Sequence, residues 1–134
     1  MVNLICQEDC GNAPKRLLLK ELITYFANGN ISKIVERVAD DVVWNWVGIG
    51  KIEGIRVYAL ALDETFKEFP PEELVIENIL THGSEAAANG LLTTKGGKST
   101  AYCHVFSFAN ASASAKIKEI TTYSIDIKTR VQDY

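Results

Sequence analysis

Both tryptophans of the chain fall in Asp40-Asp41-Val42-Val43-Trp44-Asn45-Trp46-Val47-Gly48. The run is β-branched and aromatic, a composition that suits a pleated, half-buried strand. Side chains alternate across a strand, so Val42, Trp44 and Trp46 share one face and Val43, Asn45 and Val47 the other. The two indoles then form either a core layer or the wall of a pocket. Gly48 and Gly50 end the strand. Asp40 and Asp41 are read as the turn leading into it. Adjacent residues point apart, so these two acids do not converge on one substrate atom and serve as turn and capping groups.

Helical periodicity precedes this strand and alternation dominates after it. Residues 1–12 read as a flexible arm and 13–134 as one domain. Asn12 can cap a helix with Pro14 in its first turn. Leu18, Leu22, Tyr25 and Phe26 recur at helical spacing over about 13–27. Asn28-Gly29-Asn30 ends that helix. Ile31, Ile34, Val35 and Val38 form the stripe of a short second one. After a loop over 48–54, Ile55, Tyr58, Ala59, Leu62 and Phe66 mark a third helix, ended by Pro70-Pro71. Strands are expected over 74–81, 86–94, 99–109 and 116–127. The second is weakened by its alanines. His82-Gly83-Ser84 and Lys95-Gly96-Gly97-Lys98 are turns. Asn110 to Ala115 is a loop of small residues. Helices first and strands after give an α+β layout.

A net charge of −3 and the lack of a long Lys/Arg cluster argue against nucleic acid and anionic membranes as partners. No apolar run is long enough to span a bilayer, and Met1 to Gly11 lacks the features of a secretory signal, so the cytoplasm is the expected compartment. Cys6, Cys10 and Cys103 are an odd, irregular set, read as free thiols and not as a disulfide framework. Cys6 and Cys10 have no second ligand pair for a metal. No phosphate loop, dinucleotide fingerprint or His/Glu metal motif occurs, so no cofactor or metal is expected.

The order of two helices, Ala39-Asp40-Asp41 into an aromatic strand, a helix opened by Gly54-Ile55-Arg56, and hairpins closing with Lys116-Ile117-Lys118-Glu119-Ile120-Thr121-Thr122-Tyr123 resembles the nuclear transport factor 2-like superfamily. The likeness is to its SnoaL-like, polyketide-cyclase-like branch and covers about residues 13–127. It implies a curved antiparallel sheet wrapped around three helices as a cone (the cystatin-like arrangement), with an apolar pocket at the open end. Members often form homodimers through the sheet.

Fold does not carry chemistry with it. By this resemblance the base of ketosteroid isomerases falls at Trp46, their oxyanion tyrosine near Leu22 and their protonated acid near His104, so that mechanism is missing. The Arg and Asp of limonene epoxide hydrolases fall at Tyr102 and His104. Scytalone dehydratase uses paired histidines, whereas here His82 sits at a turn, away from His104. For polyketide cyclases the nearest late-strand carboxylate is Asp126, with no clear alignment.

His104 is the leading chemical candidate, since an imidazole near neutral pKa can pass protons. Tyr102, Phe106 and Phe108 share its parity, while Cys103 points the other way. The expected pocket lining is Trp44, Trp46, Leu62, Phe66, Tyr102, His104 and Phe106. The indole N–H groups are available there to orient a ligand. The first functional reading is a protein that binds a small apolar or aromatic molecule. The second is a cofactor-independent lyase, isomerase or cyclase with His104 as acid–base and Tyr102 or Tyr123 holding an oxyanion. The third is a protein–protein module with an exposed apolar patch.

Overall fold

The structure, a computed structural model, describes residues 2–6 and 14–127. Helix α1 (Pro14–Asn28) turns Leu18, Leu19, Leu22, Ile23 and Ala27 into the core. It ends in a Schellman motif: the Gly29 N–H donates to Phe26 O at 3.2 Å and the Asn30 N–H to Tyr25 O at 2.9 Å. Gly29 has φ of 67°, and a Cβ there would strike the Phe66 ring. The tight turn therefore sets α2 (Ile31–Val35) directly after α1 and gives the third helix a place to pack.

Strand β2 (Val38–Trp46) is followed by the short β3 (Gly50–Glu53) and by α3 (Ile55–Glu68), which buries Tyr58 and Leu62. Four strands complete the chain: β4 (Pro71–His82), β5 (Glu85–Thr94), β6 (Ser99–Phe108) and β7 (Ile117–Ile127). With β1 (Asn3–Cys6) they form one seven-stranded sheet, ordered β1-β4-β5-β6-β7-β2-β3. The centre of the sheet is antiparallel; β1 joins β4, and β2 joins β7, in parallel. Helix α1 packs on β4 and α3 on β2 and β3, so the curved sheet wraps the helices as the sequence leads one to expect. Its inner face contributes Ile76, Ile79, Ala86, Ala88, Phe106, Ile117 and Ile120 to the core.

Three local expectations change. Residues 3–6 belong to the sheet instead of a loose arm. Val2, Leu4 and Cys6 alternate toward the core, and the Val2 N–H donates to Asn28 Oδ1 at 2.9 Å. Their strand covers an edge that β4 would otherwise leave bare. Val38, assigned by its spacing to the second helix, begins β2 and is buried. Asp40 and Asp41 lie inside that strand and not in a turn before it. Pairing with β7 jumps from Val38↔Ile117 to Val43↔Glu119, so the two acids sit in a bulge, exposed to water. Cys10, Asn12 and the tail over 128–134 lie outside the described residues.

Strand β5 forms despite its alanines because small residues are needed there. A Cβ on Gly90 would overlap Val75 O and crowd the Tyr102 hydroxyl. The Tyr102 ring crosses β5 at this gap and donates its O–H to Val75 O at 2.9 Å. The missing side chain is thus what ties β6 to β4 across the strand between them.

Candidate functional site

Strands β6, β7 and β2 are neighbours, and their inward residues meet. His104 lies opposite Thr122 on β7, and Tyr102 opposite Ser124. The His104 Nδ1 is 2.8 Å from Thr122 Oγ1. The Trp44 indole N–H donates to that same oxygen at 2.9 Å, and the Trp46 N–H donates to Ser124 Oγ at 2.9 Å. The two indoles stack at 5.5 Å with planes 16° apart. Tyr58 from α3 stands edge-on to Trp44, with centroids 5.4 Å apart and planes at 88°.

Rings enclose His104. Tyr102 stacks on it at 5.1 Å and Phe26 of α1 at 5.9 Å, while Phe106 is tilted against it at 6.0 Å. Loss of hydration pulls its pKa down from 6.5 to about 4. The imidazole is therefore neutral at physiological pH. No carboxylate among the described residues pairs with it. Burial pushes the Tyr58 and Tyr102 hydroxyls up from the ordinary value of 10.0; for Tyr102, Cys6 and Glu77 add smaller raising effects. Both stay protonated donors.

The profile of the SnoaL-like domain matches residues 19–119. The chain belongs to this family. No curated protein matches this SnoaL-like chain. Solved structures do. A nuclear transport factor 2-like protein of unknown function from Burkholderia xenovorans LB400 superposes with a TM-score of 0.72 at 15% identity, covering 89% of this chain and 88% of its own. An LEH-like epoxide hydrolase from M. tuberculosis gives 0.68 at 18% identity, over 84% and 83% of the two chains. A candidate SnoaL-like polyketide cyclase from Shewanella denitrificans OS-217 gives 0.67 at 16%, over 83% and 90%. At these identities the likeness is one of fold.

Of the residues singled out from the sequence, Trp44, Trp46, Tyr102, His104 and Phe106 converge on the inner face of this SnoaL-like sheet. Leu62 is in the core, and Phe66 packs over Gly29 at the turn between α1 and α2. Several expected roles change. Both indole N–H groups are already held by β7 hydroxyls, so neither is free to orient a ligand. Tyr102 spends its O–H on Val75 O, and Tyr123 is exposed on the far face of the sheet, so neither is placed to hold an oxyanion beside His104. Asp126 pairs with Lys98 at 3.0 Å and is exposed. Cys103 is a half-buried free thiol of opposite parity to His104. A shallow hollow lined by Leu80, His82, Ala87 and Val105 among others lies on the far face, away from these rings. Among the described residues no three or more His, Cys, Asp or Glu side chains gather as metal ligands, and no helix is long and apolar enough to cross a membrane.

Sequence alone places Tyr58 on the third helix and Thr122 in the closing strand, but assigns neither of them, nor Ser124, to the site. Thr122 and Ser124 share the parity of Ile120 on β7, and Tyr58 belongs to the apolar face of α3. Both signals were present, but small hydroxyl residues in a strand carry no motif.

Proposed function

We propose that this SnoaL-like protein binds a small apolar or aromatic molecule in its conical interior. Trp44, Trp46, Tyr102, His104 and Phe106 form the wall, with Leu62 and Phe66 behind it. The observation that carries this reading is the neutral, ring-enclosed His104 among stacked aromatic side chains. Such a surface offers a flat ligand dispersion contact and one polar point. The same observation weighs against the lyase, isomerase or cyclase reading. A general base works best with a pKa near the operating pH, and one of about 4 with no positioned carboxylate is poorly matched to that task.

The test uses the tryptophans as reporters. Emission of Trp44 and Trp46 is expected to change saturably with at least one member of a panel of fused-ring aromatics, fatty acids and polyketide-like ketones. A flat response to the whole panel, with the protein folded, rules the reading out. We further propose that the outer face of the sheet carries a second copy of the chain. Leu80, Tyr123, Ile125 and Ile127 are all exposed there.

A further inference from the structure

Strand β1 is the least secured part of the sheet. It stands at one end of the strand order, paired with β4 on one side alone. Among the described residues, β1 and β3 are the two strands with no fully buried side chain. The 47–49 turn ties β3 to its neighbour β2, and the Ile49 N–H donates to Trp46 O there at 2.9 Å. The partner of Asn3 in β1 is instead Glu73, 70 residues away along the chain. Short segments with few buried contacts open locally at a lower cost than the whole fold.

Yet β1 touches both walls around His104. Lys15, in the first turn of α1, donates to Gly83 O at 2.9 Å and lies 4.3 Å over the Phe108 ring. That end of α1 therefore sits at the β4–β5 turn. Its last turn, with Phe26 and Asn28, lies toward the opposite end of the sheet. There Asn28 Oδ1 accepts the Val2 N–H at 2.9 Å. On the sheet side, register puts Cys6 in one row with Ile76, Gly90 and Tyr102. Cys6 is near enough to Tyr102 to add, after burial, to the raised pKa of its hydroxyl. Phe26 and Tyr102 are the two rings stacked on His104, at 5.9 and 5.1 Å. Strand β1 thus bridges the helix that carries one of these rings and the sheet that carries the other.

We propose that residues 2–6 are a displaceable strap, whose release parts the end of α1 from β4 and opens a way to His104 between Phe26 and Tyr102. The polar contacts that hold it are the bond from Val2 to Asn28, the ladder to Glu73–Ile76, and an exposed bond from Asn3 Nδ2 to Glu73 Oε2 at 3.1 Å. Its inward side chains, Val2, Leu4 and Cys6, pack on the core but are each half-buried. Because β1 ends the strand order, its release leaves the pairing of every other strand intact. With the strap in place His104 is half-buried, and release exposes the side that Phe26 and Tyr102 cover. The strap governs entry to the interior, whatever the interior binds.

The test is the rate at which diethyl pyrocarbonate modifies His104, followed by peptide mass spectrometry. His82, exposed beside the β4–β5 turn, is the internal control. Asn3→Cys with Glu73→Cys places two cysteines on paired register positions, where a disulfide closes across the strands. This lock is expected to slow His104 modification at least tenfold, and dithiothreitol to restore it, against wild type treated alike and with His82 unchanged. Asn28→Ala removes the acceptor of the Val2 N–H. It is expected to speed His104 modification roughly two- to tenfold, the worth of one hydrogen bond. Asn28→Asp keeps an acceptor and should restore the wild-type rate. In low urea the wild-type rate should rise far less than the global unfolding constant, because releasing residues 2–6 exposes little surface. Equal rates in the locked and reduced protein, no gain in Asn28→Ala, or a urea dependence equal to that of global unfolding each overturns the proposal. If the double-cysteine protein fails to fold, Asn28→Ala and the urea series decide alone. No ligand enters these readouts. A flat tryptophan response to the probe panel therefore removes the binding reading and leaves the strap standing, and failure of the strap leaves the binding reading standing.

Discussion

Enclosing an imidazole between Phe26, Tyr102 and Phe106 removes the water that would stabilise its protonated form, and its pKa falls from 6.5 to about 4. Between those two values the unfolded chain carries a proton on His104 that the folded chain does not. Stability is therefore fully present above pH 6.5 and is lost as pH falls through that window toward 4. The size of the effect is up to about 3 kcal/mol, from roughly 1.4 kcal/mol per pKa unit. Urea unfolding of the wild type and of His104→Phe across pH 4–8 isolates it, since other acids titrate equally in both. The stability difference between the two proteins should shift in favour of the variant as the pH drops below 6.5. A difference that stays constant with pH would mean that His104 is not held neutral by the fold. Alternation alone was enough to put His104 beside Tyr102 and Phe106. Its partner Thr122 was not legible, because that contact depends on the register of β6 against β7 across the 109–116 connection. A loop of small residues does not encode a register in its composition.

Strand β5 shows why some elements resist sequence reading. Ala86, Ala87, Ala88 and Gly90 lower its strand propensity, yet the same smallness admits the Tyr102 ring and its bond to Val75 O. A local signal was outweighed by a packing requirement set by a residue on the next strand. Replacing Gly90 with Ala is expected to cost about 1–3 kcal/mol, the range for overpacking a close-fitted site. Urea denaturation of Gly90→Ala measures it, and a change below about 0.5 kcal/mol would show that β4 and β6 can part to admit a methyl group. The bulge holding Asp40 and Asp41 was hidden for a related reason. Two acids before a hydrophobic run look the same in sequence whether they turn the chain or interrupt a ladder, and only the pairing with Ile117 and Glu119 separates the two. By contrast, the Schellman turn at Gly29 and the helix stops at Pro70-Pro71 are local chemistry, and they were legible. The short β1 strand was hidden by its length, since a few alternating residues carry little weight beside a polar N-terminus.

At the scale of the whole molecule, the sheet has one face closed by helices and one face open. Register places Ala87, Val105 and Thr121 in one row across the open face, Asn89, Cys103 and Tyr123 in the next, and Leu91, Ala101 and Ile125 in a third. Ile125 is 71% exposed and Leu80, at the margin, 65%. Single exposed apolar residues are common, but several together on one face, here Leu80, Tyr123, Ile125 and Ile127, mark an interaction site. Glu85 and Glu119 flank Ser107 in the row beyond Ala87, at one end of the face, leaving these three rows uncharged. A two-fold pairing of this face would set the same rows against each other, so one substitution alters the contact twice. We therefore expect the wild-type protein to sediment as a dimer and Ile125→Lys to dissociate at least tenfold more readily. The variant should keep its cooperative unfolding as a monomer, because Ile125 lies outside the core that α1 and α3 close. Sedimentation equilibrium over a range of concentrations decides the matter. A wild-type monomer at all concentrations would leave this face without a second copy. A variant that remains as dimeric as the wild type would move the contact elsewhere on the molecule. Because His104 and Thr122 belong to the opposite face, dimer dissociation in Ile125→Lys should leave the binding of any probe to the cone unchanged, which separates the two surfaces in a single protein.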